Sequence, residues 1–281
     1  MLRIYPSLLD KFTDYSRAQQ TWEKFWGNSE SPKVTPEEYE RKQLISFLDS
    51  VNRVPFDSEA ADRGTCFNEL IDCLLRRSMA SDIMDISKVD NLYHCKHHKS
   101  GREFDFHPDV VRRLYQRYNL ATPQVLVEAP IKVGGEDVLL YGYIDELMPE
   151  DIHDIKTTSK WEYGKFKHHA QHLVYPYCVR YMGGNTSQFH YDIVQWGKEP
   201  GQEEFNIETY MWTSESYERL HTLVSDCVSL IKQYRPLITD KRVFGGVNDP
   251  DRVEVSLEKW LPETIETDQG KELFNNLVLC K

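Results

Sequence analysis

LLYGYIDELMPEDIHDIKTTSKWEYGKFKHHAQHLVYPY, residues 139–177, decides how the rest of the chain is read. Val138 to Ile144 is rich in β-branched, aromatic and leucine side chains, which favour a strand. Asp145 closes it. Met148-Pro149-Glu150-Asp151 has the composition of a turn, and Ile152 to Thr157 reads as a second strand. The two strands form a hairpin. Strand residues alternate between faces, so Asp154 and Lys156 leave the second strand together. Asp145 lies across the hairpin from them. Two carboxylates and a lysine therefore converge where an ordinary strand carries apolar groups. A helix is predicted from about His168 to Tyr181, with Gln171 and Tyr175 on one of its faces.

Outside this stretch, composition sets the bounds. A chain of 281 residues suits one large domain with extensions, or two small ones. Hydrophobic residues at 40% and charged residues at 28% are enough for a globular core. No apolar run is long enough to span a bilayer, so no membrane association is expected. Met1 to Pro6 lacks the apolar core of a signal peptide. The six cysteines are scattered without a Cys-x-x-Cys, which predicts a reduced, cytoplasmic setting, bacterial or in a phage-infected cell. A net charge of −11 argues against a general nucleic-acid coat protein, but a local basic track is compatible with it.

Three segments are expected: a helical N-terminal extension over 1–60, a core over 61–240, and a C-terminal extension over 241–281 packed on that core. Ser7 to Arg17 has apolar residues at helical spacing. Thr35 caps a helix with Pro36 at its first position. Arg63-Gly64-Thr65-Cys66-Phe67-Asn68-Glu69-Leu70 begins the first core helix. His94-Cys95-Lys96-His97-His98 has no zinc-site spacing and reads as an exposed loop. A short basic helix with Arg112, Arg113 and Arg117 follows His107. Gln124 to Val133 is a strand that turns at Gly134-Gly135. Ser187 to Trp196 and Phe205 to Trp212 are further strands. Ser214 to Tyr234 is a helix capped by Ser214, with Leu220, Val224, Cys227 and Ile231 in its apolar stripe.

Between Lys156 and His169 the chain carries Lys160, Lys165 and Lys167, interleaved with Trp161, Tyr163 and Phe166. Glu162 is the only acid there. Basic residues with aromatic platforms suit single-stranded nucleic acid, the bases stacking and the phosphates pairing with lysines. The other reading is buried aromatics and merely solvated lysines.

The ordered set Gly142-Tyr143-Ile144-Asp145, Asp154-Ile155-Lys156 and Gln171-His172-Leu173-Val174-Tyr175 resembles the PD-(D/E)XK nuclease superfamily, in its RecB-like and phage-exonuclease branch. Thr157-Thr158 also suits that branch. The resemblance covers roughly Arg63 to Trp196. It implies a mixed α/β, restriction-endonuclease-like core, helix–three strands–helix–strand, with a central sheet flanked by helices and helical additions at both ends. It implies metal-dependent DNA hydrolysis, exonucleolytic, in recombination, repair or phage DNA processing, with DNA and a recombination or repair protein as partners.

Hard oxygen ligands for Mg²⁺ or Mn²⁺ would come from Asp145, Asp154 and the Ile155 carbonyl. Lys156 would orient or deprotonate the attacking water, and its ammonium can also stabilise developing charge. Gln171 and Tyr175 would position the phosphate or a ligating carboxylate. Members of that branch often read Arg-Gly-Thr-x-x-His, with the histidine a metal ligand. Here Asn68 stands in its place, and Asn offers only an uncharged carbonyl. Glu69 can supply a carboxylate instead, and Glu128, in the strand before the hairpin, can join the metal shell. Some members hold an iron–sulfur cluster on four cysteines. Only Cys280 lies near the C-terminus, so none is expected. Asn68 also keeps open an inactive nuclease-fold module that binds DNA or a partner protein.

Overall fold

The computed structural model describes residues 1–279. Strand β1 (Leu2–Ile4) leads into helices α1 (Pro6–Ser16), α2 (Ala18–Trp26), α3 (Pro36–Val51) and α4 (Glu59–Leu75). Next come β2 (Met84–Val89), β3 (Leu92–His97) and β4 (Glu103–Phe106), then α5 (Pro108–Arg117). Strands β5 (Thr122–Val133), β6 (Glu136–Leu147) and β7 (Asp151–Thr158) precede α6 (Gln171–Tyr181). The chain continues through β8 (Gln188–Gln195), β9 (Glu204–Met211) and α7 (Ser214–Gln233), and ends in short turns and α8 (Asp268–Phe274).

A mixed six-stranded sheet organises these elements, and β2, β3 and β4 form a separate small sheet. β5 runs antiparallel along β6 from Val133↔Glu136 to Thr122↔Leu147. The other edge of β6 is shared. β1 pairs with it in parallel at Val138–Leu140, and β7 pairs antiparallel only at Glu146 and Leu147. β7 and β8 are parallel, and α6 lies in the connection that parallel pairing requires. β9 closes the far edge against β8.

Helices cover both faces of the sheet. On one, Leu8, Phe47, Val174 and Val224 of α1, α3, α6 and α7 pack with Ile152 and Tyr191. On the other, Phe67, Phe106 and Leu114 of α4, β4 and α5 pack with Ile155 and Val194. Burial on both faces is why β7 is apolar or buried at consecutive positions from Ile152 to Ile155 rather than alternating. Residues 1–60 supply a strand and core side chains to the first cluster, and Leu257, Trp260 and Phe274 of the last segment join it too. Among the described residues no helix is long and apolar enough to cross a membrane. Cys66, Cys73, Cys95, Cys178 and Cys227 are buried free thiols, and Cys280 lies outside the described residues.

Several boundaries shift from the sequence reading. His94 to His97 belongs to β3, with Cys95 and His97 turned inward; the polar letters concealed a strand alternation. α7 is capped by Thr213, whose hydroxyl accepts from the Ser216 N–H, rather than by Ser214. α6 starts at Gln171, and a looped segment occupies 159–170. Thr35 and Glu38 form the capping box that starts α3.

The second core contains a buried charge. Asp192 of β8 is fully buried and accepts from Tyr118 Oη at 2.5 Å, Arg117 Nε at 3.0 Å and His153 Nδ1 at 2.8 Å. Burial pushes its carboxyl up, but His153 and Arg117 outweigh that and hold it below the usual range. A depressed carboxylate contributes stability above its unfolded value and loses it as pH falls through the folded one. Asp192→Asn is therefore expected to cost about 1.5–3 kcal/mol at neutral pH. The difference from wild type should close as pH drops below about 4. Denaturant titrations at several pH values check this; a gap independent of pH would remove the carboxylate charge as the cause.

Candidate active site

The site lies where the β6–β7 pairing stops. Beyond Glu146↔His153 the two strands splay. The Asp145 carboxylate takes over as acceptor: its Oδ2 receives the Ile155 N–H at 3.0 Å. A residue's N–H and C=O face the same edge in an extended strand, so the Ile155 carbonyl faces this gap as well. Asp154, 1% exposed, places Oδ2 2.7 Å from Lys156 Nζ. Its other oxygen accepts from Gln171 Nε2, at the first residue of α6. Tyr175 sits one turn later, buried, with Asp154, Asp145 and Gln171 around its hydroxyl. Gly142 makes room for it: a Cβ there would stand 2.7 Å from the Tyr175 ring.

α4 closes the gap from the other side. Asn68 Nδ2 donates to Asp145 Oδ2 at 3.3 Å. The helix comes this near because Gly64 has no side chain; a Cβ would lie 3.0 Å from Thr157 Oγ1. The structure thus brings together Asp145, Asp154, Ile155, Lys156, Gln171, Tyr175 and Asn68.

Charge in the gap does not balance. Burial, then the neighbouring Asp154, pushes the Asp145 carboxyl up to about 8, and Lys156 offsets this only in part. Burial also raises Asp154, against the pull of Lys156 and Gln171. Burial disfavours the Lys156 ammonium, yet Asp154 and Asp145 prevail and hold it above its ordinary range. With both carboxyls ionised, two buried negative charges would face one ammonium, and this is what holds them up. Asn68 Oδ1 and Gln171 Oε1 are buried without hydrogen-bond partners, and such buried acceptors are uncommon. Three oxygen donors plus an orphaned amide oxygen match what Mg²⁺ or Mn²⁺ takes. The residues present fit a hard divalent cation.

Three acidic groups here escaped the sequence reading. Asp10 of α1 accepts from the Ala170 N–H at 2.6 Å, just before α6, and burial pushes it up to about 7 beside Lys156 and Asp154. Glu146, adjacent to Asp145, is fully buried against Asp72, one turn beyond Asn68 on α4. Burial, then repulsion from Asp72 and Asp145, pushes Glu146 up, and burial raises Asp72 against the pull of Arg76. No local pattern marks any of the three, since each is placed by packing between distant segments.

Other expected ligands lie elsewhere. Glu69 pairs with Arg76 at 2.9 Å. One residue along a helix turns the side chain by about 100°, so Asn68 and Glu69 do not face one site. Glu128 is exposed on β5 opposite Tyr141. That is four positions, roughly 13 Å along β6, from Asp145. Among the described residues one set of His and acid groups draws together elsewhere: Asp151, His153 and His190, with ligand atoms within 4.8 Å of one another. It lies on the other face of the sheet, where the two imidazoles stack at 4.6 Å and use Nδ1 on Asp192 and Thr209.

The basic segment divides. Lys165 Nζ holds its own loop, donating to Thr158 Oγ1 at 2.6 Å and the Lys160 carbonyl at 2.7 Å. Lys160 pairs with Glu162 at 2.7 Å, and Lys167 is exposed. Trp161 and Phe166 offer no stacking face. Trp161 packs on the main core and donates Nε1 to Glu208 Oε1 at 2.8 Å. Phe166 is 5% exposed, against Tyr191 and His169. Tyr163, 87% exposed, is the segment's open ring.

No protein-family model matches the chain, and no curated protein matches it. A solved structure described as "Crystal structure of SSO0001" is similar at a TM-score of 0.41 and 12% identity, over 82% of this chain and 77% of that one. A likeness at that level is too distant to place the chain in a family.

Proposed function

We propose that this chain is a metal-dependent DNA nuclease with a restriction-endonuclease-like core, acting exonucleolytically in recombination, repair or phage DNA processing. The carrying observation is the splayed β6–β7 gap, which gathers Asp145, Asp154 and Lys156 and is braced by Gln171 of α6. Asp145, Asp154 and the Ile155 carbonyl would hold Mg²⁺ or Mn²⁺, with Asn68 Oδ1 as a neutral donor. When bound, the cation would offset the charge that develops on the phosphate and make hydroxide available near neutral pH.

The chain's own groups do the rest. Asp154 anchors the Lys156 ammonium beside the gap, where it orients the attacking water and stabilises negative charge on the phosphate oxygens. Gln171 fixes the Asp154 rotamer, and the buried Tyr175 keeps water out behind it. Asp10 supports the N-terminus of α6, from which Gln171 reaches the site.

Metal-dependent cleavage of labelled single- and double-stranded DNA tests the reading. Cutting is expected with Mg²⁺ or Mn²⁺ and none in EDTA. Asp145→Asn and Asp154→Asn are each expected to weaken Mn²⁺ binding by calorimetry at least tenfold, because each removes a charged ligand. Unaltered Mn²⁺ affinity in both variants would take the metal away from this gap. Asn68 favours a second reading, a nuclease-fold module that holds DNA or a partner protein without cutting. DNA binding without cleavage across Mg²⁺ and Mn²⁺ would select it.

A further inference from the structure

A groove of about 990 Å³ runs between α1–α2 and the 160–169 loop. On one wall stand Lys11, Arg17 and Lys24; on the other stand Lys160, Lys165 and Lys167. Three carboxylates, Asp10, Asp14 and Glu162, share the lining. Glu162 is matched by Lys160 at 2.7 Å, and Lys11 stands 4.0 Å from Asp14. A basic surplus on this surface contrasts with a chain whose net charge is −11. Two large rings are open on it: Phe25, 64% exposed on α2 beside Trp26 and under the Lys24 ammonium, and Tyr163, 87% exposed on the loop. The walls are joined where the Arg17 guanidinium meets the His168 ring at 2.7 Å. At its inner end lie Asp10 and His169, 3.4 Å apart, and the Asp10 carboxylate is near enough to favour the Lys156 ammonium.

We infer that this groove is a channel for single-stranded nucleic acid, with the N-terminal helices α1 and α2 as its second wall. The inference deepens the nuclease reading and rests on it for the channel's purpose. Lysines on both walls would pair with successive phosphates, and Tyr163 and Phe25 would stack on bases. The occupant is a single strand because the open rings need exposed base faces, and in a duplex those faces are stacked on one another. Lysines and open rings meet phosphates and base faces rather than base edges, so binding is expected to be indifferent to sequence. The inner end delivers the backbone toward Lys156 and the carboxylate gap. The N-terminal extension is then part of the substrate path.

Fluorescence anisotropy on the full chain, in EDTA so that nothing is cut, tests this with labelled oligo(dT), oligo(rU) and a blunt duplex. Both single strands are expected to bind more tightly than the duplex. Lys24→Gln and Lys167→Gln, one on each wall, should each flatten the salt dependence by about 0.7 in the log–log slope, the value for one phosphate contact on a single strand. Tyr163→Ala and Phe25→Ala should each weaken binding roughly five- to a hundredfold. Melting temperatures should stay near the parental value, since all four side chains are at the surface. If Phe25→Ala unfolds, the other three variants still decide. Preference for the duplex, or parental affinity and slope in the folded variants, overturns the channel. Parental binding in the variants of a chain that cleaves would overturn the channel and keep the nuclease. Binding lost in the variants of a chain that never cleaves would keep the channel and overturn the nuclease.

Discussion

Lys156→Ala is expected to lower the rate of metal-dependent DNA cleavage by about 10²–10⁴, the range for removing one charge-stabilising or proton-handling group. DNA affinity in EDTA should hardly move, because the effect lies in the chemical step. Divalent cation binding should be preserved or strengthened. The ammonium lies 2.7 Å from Asp154 Oδ2, so it competes with a cation for that oxygen. Removing it frees the ligand. Lys156→Arg should fail almost as badly. Arginine keeps the charge, but its planar fork cannot sit where a compact ammonium does. Single-turnover cleavage, Mn²⁺ calorimetry and anisotropy on the same variants separate these effects. Cleavage at the parental rate in Lys156→Ala would remove the lysine from the mechanism. A parallel loss of DNA binding would make it a binding group instead.

The parts of the site that could be read from the sequence are those set by local rules. Strand alternation put Asp154 and Lys156 on one face, and helical spacing put Gln171 and Tyr175 on another. The geometry between strands was not legible. A plain hairpin would have continued the ladder from Glu146↔His153 to Asp145. Instead β1 takes the edge of β6 at Val138–Leu140 and β8 draws β7 away in parallel, which opens the gap. β1 is only Leu2–Ile4, and nothing in three residues foretells a partner so far along the chain. The choice between Asn68 and Glu69 was equally hidden. Both flank the buried stripe of α4, and the ion pair with Arg76 turns Glu69 away.

Trp161 shows the same limit at the substrate track, and it supplies the clearest test of core against surface. Lys160, Lys165 and Lys167 lie close to it in sequence, and that pattern suggests a base-stacking role. Glu208 of β9 decides otherwise. That carboxylate is 2% exposed and accepts from Trp161 Nε1 at 2.8 Å, the Gly164 N–H at 3.1 Å and Tyr210 Oη at 2.7 Å. It ties the 161–164 turn to the sheet edge, and Gly164 meets the bond with a φ of +80°, a backbone state that suits glycine. Trp161→Ala removes a half-buried indole and leaves Glu208 short of one donor. The expected cost is about 2–4 kcal/mol. At roughly 2–4 °C per kcal/mol for a chain of this class, the melting temperature should fall by roughly 5–15 °C. Tyr163→Ala, two residues away on an exposed ring, should leave the melting temperature in place and lose single-strand affinity. Thermal melts and anisotropy on this pair give opposite signatures. If Trp161→Ala melts with the parental protein and loses single-strand affinity, the indole faces the nucleic acid after all, and the packing against Glu208 does not hold the turn.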